Sequence, residues 1–163
     1  KTKYKSFLLL ESDTKPIKTD WFQNLKKYSE CNENYTIAGS LYKGKNYKVH
    51  RESYYGGHLN GVGLYRNSEK TKKLLNNSKK YLISELKKDS FFSKSKQKYW
   101  EFMNYDVAIY LYAKQNNLLD GYTDTDFFTN ASAPTDSDVS LSEILNEYPN
   151  TCILHQKKLY GKH

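Results

Sequence analysis

The sequence predicts an α/β layer architecture, a mixed sheet flanked by helices, on three observations. Short apolar runs of strand length occur near both ends, at Ser6–Leu10 and Cys152–Leu154. Stretches with apolar residues three and four apart lie between them. Strand and helix patterns alternate along 163 residues, a length that suits one domain spanning 1–163.

The elements follow in order. Ser6–Leu10 is a continuous apolar run, which reads as a strand buried on both faces of a parallel sheet. Pro16 forces a turn. Asp20 with Gln23 three residues on starts a helix whose stripe is Trp21, Leu25 and Tyr28. Tyr35–Ala38 is a second strand, stopped by Gly39 and Ser40, and 41–57 reads as a long polar, aromatic loop. His58–Tyr65 alternates glycines with apolar residues, and 68–88 is a lysine-rich amphipathic helix with Leu74, Leu75, Leu82 and Leu86 inward. Asp106 caps a helix running to about Asn116 that buries Val107, Ile109, Tyr110 and Leu111. Phe127 and Phe128 fall in a short strand or turn, Ser140 opens a helix through Ile144, and Cys152–Leu154 is a last strand ending at His155.

Composition narrows the function classes. The 16 Tyr, 7 Phe and 2 Trp argue for a packed core rather than disorder. Lys and Arg total 26, yet Arg51 and Arg66 are the only arginines, a balance that reads as AT-rich codon usage. The net charge of +8 is compatible with nucleic acid, an anionic surface or a phosphate-bearing small molecule. The lysines are dispersed and form no nucleic-acid signature, so a solvated lysine surface is expected. Cys31 and Cys152 make neither a disulfide framework nor a CxxC pair, and imply a reducing, cytoplasmic setting. No apolar run is long enough to span a bilayer. Sequons at Asn34, Asn76 and Asn130 are common by chance in an Asn-rich chain.

Three constellations can carry chemistry. Glu11 and Asp13 follow an apolar run, and on an extended strand residues two apart point to one side. Two adjacent carboxylates repel unless a cation such as Mg²⁺ or Mn²⁺ lies between them. Taken alone, the triplet reads as a turn with a solvated Glu11, and its place after a buried strand is what shifts the balance toward a metal site. His155 also ends an apolar strand, and its imidazole would complete a metal shell, with Lys157 and Lys158 available for phosphate oxygens. The plain alternative is an edge histidine with surface lysines. His58, Asn60 and Gly61 form the third group, where glycine permits close backbone approach and Asn60 offers donor and acceptor. Asp106 is either a catalytic carboxylate or an ordinary cap.

In this order the pieces resemble the metal-dependent nucleotide-diphospho-sugar glycosyltransferases of the A-type fold. Glu11-Ser12-Asp13 resembles their DxD-like acidic motif, and Pro16 with Asp20-Trp21-Phe22 resembles the turn and tryptophan-led helix behind it. Ile37–Ser40 resembles the strand entering the acceptor loop, and His58–Tyr65 a His-x-Asn-Gly segment. Tyr105–Ile109 resembles a helix start near the acceptor, and Ile153–Lys157 the late histidine. The first acid departs from the pattern, being Glu rather than Asp.

The resemblance implies transfer of a sugar from a nucleotide-diphosphate donor to a hydroxyl of a glycan, protein or small-molecule acceptor. It implies Mn²⁺ or Mg²⁺ on Glu11, Asp13 and His155, charge sharing by Lys157 or Lys158, ligand contacts at His58, Asn60 and Gly61, and Asp106 as base. No nucleic acid is expected as a partner. The family places a nucleotide-binding βαβ portion before the strand and acidic motif, where this chain has five residues and begins with Lys. The chain therefore reads as a later portion, with weak or no activity by itself. Two rival readings are a basic single-strand nucleic-acid module, with lysines among tyrosines, and a non-catalytic protein that keeps the fold.

Overall fold

The computed structural model describes residues 4–43, 57–89, 104–131 and 140–155. The strands are β1 (Ser6–Leu9), β2 (Thr14–Pro16), β3 (Ile37–Gly39), β4 (Gly63–Arg66), β5 (Tyr122–Asp124), β6 (Phe128–Asn130) and β7 (Ile153–His155). The helices are α1 (Trp21–Cys31), α2 (Glu69–Asp89), α3 (Tyr105–Gln115) and α4 (Leu141–Glu147). The α/β class expected from the alternation is therefore observed.

Four strands form one sheet in the order β1-β4-β3-β5, and three form another in the order β2-β7-β6. Both are mixed. In the first, β4 is antiparallel to β1 and β3, while β5 runs parallel to β3. In the second, β2 is antiparallel to β7 and β6 is parallel to it.

Strand alternation divides the core into layers. Ala38 and Leu64 point to one face, where they meet Leu25 of α1 and Phe128 and Ile153 of the second sheet. Ile37 and Tyr65 point to the other, where they meet Leu74 of α2 and Ile109 and Ala113 of α3. Leu154, on the outer face of the second sheet, packs with Ala131 and with Ile144 of α4. The stripe Trp21, Leu25 and Tyr28 does face the core, with Leu25 fully buried. Leu74 is buried and Leu75 and Leu82 pack against the core clusters, whereas the Leu86 side chain lies outside the described residues. α4 starts as expected: Glu143 N donates to Ser140 Oγ, and Ser140 N donates to Glu143 Oε2, a reciprocal cap.

Three expectations change. Pro16 does not force a turn: it ends β2, an edge strand, opposite Ile153 of β7. β1 is not central in a parallel sheet. It is an antiparallel edge strand, with Leu8 and Leu9 reaching opposite core clusters and Phe7 stacked on Tyr65 at 5.2 Å across β4. Its faces are only partly covered: no residue of β1 is buried, and Phe7 is 45% exposed. Asp106 is also not the cap of α3. Asn104 occupies that position, and Asp106 is buried in the first turn.

After β3 the chain leaves the first sheet, and Tyr42 bridges to Asn130 of the second. The buried Lys43 fixes this passage. Its ammonium donates to Thr125 O at 2.9 Å and lies 3.5 Å from both Asp124 and Asp126. The expected loop at 41–57 otherwise falls outside the described residues between 44 and 56. Among the described residues no helix is long and apolar enough to cross a membrane.

Candidate metal centre

The site forms where β1 hands the chain to the second sheet. Beyond Leu9 the backbone turns at 11–14: Thr14 N donates to Glu11 O, and Glu11 N donates to Thr14 Oγ1, both at 3.1 Å. The turn delivers the chain into β2, where Thr14 pairs with His155. That register sets Asp13 beside His155. On the other side of β7, the parallel register pairs Asn130 with His155. Side chains far apart in sequence thus meet at the carboxyl ends of β1, β6 and β7, the edge where open α/β sheets take ligands.

The geometry centres on the His155 ring. Its Nε2 lies 3.1 Å from Glu11 Oε2 and 3.0 Å from Asp13 Oδ1. Its Nδ1 lies 3.1 Å from Asn130 Oδ1. Asn130 accepts the Nδ1 proton, which leaves the Nε2 lone pair of the neutral ring aimed at the carboxylates. One donor atom from each of Glu11, Asp13 and His155 lies within 4.8 Å of the others. Two carboxylate oxygens and one imidazole nitrogen suit a divalent cation with oxygen preference, Mg²⁺ or better Mn²⁺. Burial alone would push the His155 pKa down. The hydrogen bonds and charges of Glu11 and Asp13 outweigh it and raise the pKa.

The acidic pair reaches this arrangement by a different route from the one its spacing implies. Glu11 and Asp13 lie in a turn, not on an extended strand, and converge because the turn folds both toward His155.

The second half of the neighbourhood comes from β4's approach and the start of α3. Asn60 is buried, with Oδ1 accepting from Val62 N at 3.0 Å and its own N–H donating to Ser40 O at 2.9 Å. Gly61 O accepts from the Tyr65 hydroxyl at 3.0 Å. Asp106 Oδ1 accepts from Val107 N at 2.8 Å, and its Oδ2 lies 3.9 Å from His58 Nε2. Burial lifts the Asp106 pKa, against the opposing effect of His58. Lys157 and Lys158 lie outside the described residues.

The expected set is therefore brought together in two groups: Glu11, Asp13 and His155 in one, His58 and Asp106 in the other, with Asn60 and Gly61 between. Two residues escaped the sequence reading. Asn130 appeared only as a sequon, yet it is buried and anchors His155. Tyr105 donates its hydroxyl to Glu11 Oε1 at 2.8 Å. Its place beside Asp106 was the one available signal, whereas nothing local marks Asn130.

No family model matches the chain, and neither a curated protein nor a solved structure matches it.

Proposed function

We propose that the protein is a metal-assisted glycosyltransferase related to the A-type fold, moving a sugar from a nucleotide-diphosphate donor to an acceptor hydroxyl. The observation that carries the reading is the convergence of Glu11, Asp13 and His155 within 4.8 Å, with His155 oriented by Asn130. Acidic residues behind the first strand and a histidine on the last are the order the sequence resemblance requires.

A bound Mn²⁺ or Mg²⁺ would offset the charge developing on the departing diphosphate. The chain's own groups prepare that chemistry. Glu11 and Asp13 supply negative charge at an open sheet edge, each about 30% exposed: 29% and 30% for their side chains. His155 is held by Asn130 so that one nitrogen faces them. Asp106 is the group proposed to accept the acceptor's proton. Burial raises its proton affinity, as a base acting near neutral pH requires, and His58 restrains that rise. Gly61, bare of a side chain, lets the Tyr105 hydroxyl come up against Glu11.

Isothermal calorimetry tests the reading. The chain is expected to bind Mn²⁺ and, with Mn²⁺ present, a nucleoside diphosphate more tightly than without it. Asp13→Ala and His155→Ala should each weaken Mn²⁺ binding by more than about 100-fold, beyond the range seen when only an outer-shell partner is lost. Wild-type affinity in both variants would remove the basis of the assignment.

A further inference from the structure

The metal reading leaves one neighbour unexplained. Tyr105 begins α3, and its residue is 41% exposed, yet its hydroxyl is committed to Glu11 Oε1 at 2.8 Å. Glu11 uses its other oxygen, Oε2, toward His155. Both carboxylate oxygens therefore have an assigned direction.

Gly61 makes the contact possible. A β-carbon built there would lie 1.6 Å from the Tyr105 hydroxyl oxygen and 2.6 Å from Glu11 Oε1. No side chain larger than hydrogen fits without expelling the tyrosine. The Gly61 carbonyl is itself fixed by the Tyr65 hydroxyl at 3.0 Å, so the wall of the passage is held.

We infer that Tyr105 is a positioning residue: its hydroxyl, passing over Gly61, holds Glu11 with Oε2 directed into the cation cluster. The inference rests on the reading of Glu11, Asp13 and His155 as a metal site. A glutamate has three rotatable bonds, and a free one must be ordered before it can ligate. Fixing one oxygen beforehand removes that cost and ties the cluster to the start of α3, the helix that carries Asp106.

The test is a double-mutant cycle on Mn²⁺ affinity, read by calorimetry and by the electron paramagnetic resonance of free Mn²⁺. Tyr105→Phe keeps the ring and removes the donor, and should weaken Mn²⁺ binding about tenfold. Gly61→Ala, which displaces the hydroxyl, should do the same. In a Glu11→Gln background, Tyr105→Phe should cost little more, because its effect runs through Glu11. A general packing defect would persist in that background. Wild-type affinity in Tyr105→Phe, or an undiminished loss in the Glu11→Gln background, overturns the inference while the metal site stands. Absence of Mn²⁺ binding by the wild type overturns the metal site and this inference with it.

Discussion

Among the described residues, two acid–histidine groupings are built on opposite principles. His155 has two carboxylates at hydrogen-bond distance on one nitrogen and an amide oxygen on the other. His58 stands 3.9 Å from the single carboxylate of Asp106, which burial makes reluctant to ionise. The first arrangement concentrates negative charge at an open edge and calls for a cation. The second withholds solvent from one carboxylate and makes it a better proton acceptor. Residue types alone do not separate these cases. The separation comes from how many oxygens converge and how much water each keeps.

Breaking the first grouping should have the larger effect. His155→Ala deletes the only group that joins Glu11, Asp13 and Asn130 among the described contacts. It leaves two carboxylates facing each other and a buried Asn130 oxygen without its ring partner. Loss of one partner from a fully buried ionic group costs roughly 3–5 kcal/mol. The two acids retain some exposure, which solvent screening converts into a smaller penalty, about 2 kcal/mol at pH 7. Guanidinium titration measures it, and added Mn²⁺ should fail to restore it.

What the sequence made legible follows the range of the interactions. Strand and helix positions are local matters of periodicity and capping, and Ser140, Leu25 and the α3 stripe appeared where expected. Glu11, Asp13 and His155 were findable because each follows an apolar run, which marks a strand's end. Asn130 was not, because its role depends on β6 lying beside β7 in one register, a fact of tertiary pairing. Sheet order escaped for the same reason: the run Ser6–Leu10 carries no sign of whether its edge is covered. Lys43, buried between Asp124 and Asp126, looked like one more surface lysine in a chain that has many.

The second grouping should respond more weakly and with the opposite sign. Asp106 has its pKa raised in the folded state, chiefly by burial. Such a carboxyl contributes most to stability below its unfolded pKa, and that contribution is lost as pH rises through the folded one. Once pH has risen above the unfolded value, the desolvated carboxyl therefore costs stability. Asp106→Asn keeps the shape, removes the charge and should stabilise the protein by about 1 kcal/mol at pH 7. Thermal melts from pH 7 downward should show the two proteins converging as the wild-type carboxyl takes up its proton. If the variant is less stable at every pH, the Val107 and His58 interactions outweigh desolvation, and the contrast with His155 is wrong in this half.

His58→Gln should give the smallest change and sharpens the comparison most. The separation of 3.9 Å exceeds a hydrogen bond, so the direct stability effect should stay within about 0.5 kcal/mol. The protonation of Asp106 is the more sensitive reporter, because His58 is the main influence holding its pKa down against burial. Removing the imidazole leaves burial less opposed, so the Asp106 carboxyl should titrate at higher pH than in the wild type. Carbon-detected NMR of the carboxyl resonance follows this directly. An unchanged or lowered midpoint would mean that His58 does not bias the acid, and the pairing would then be proximity without electrostatic consequence.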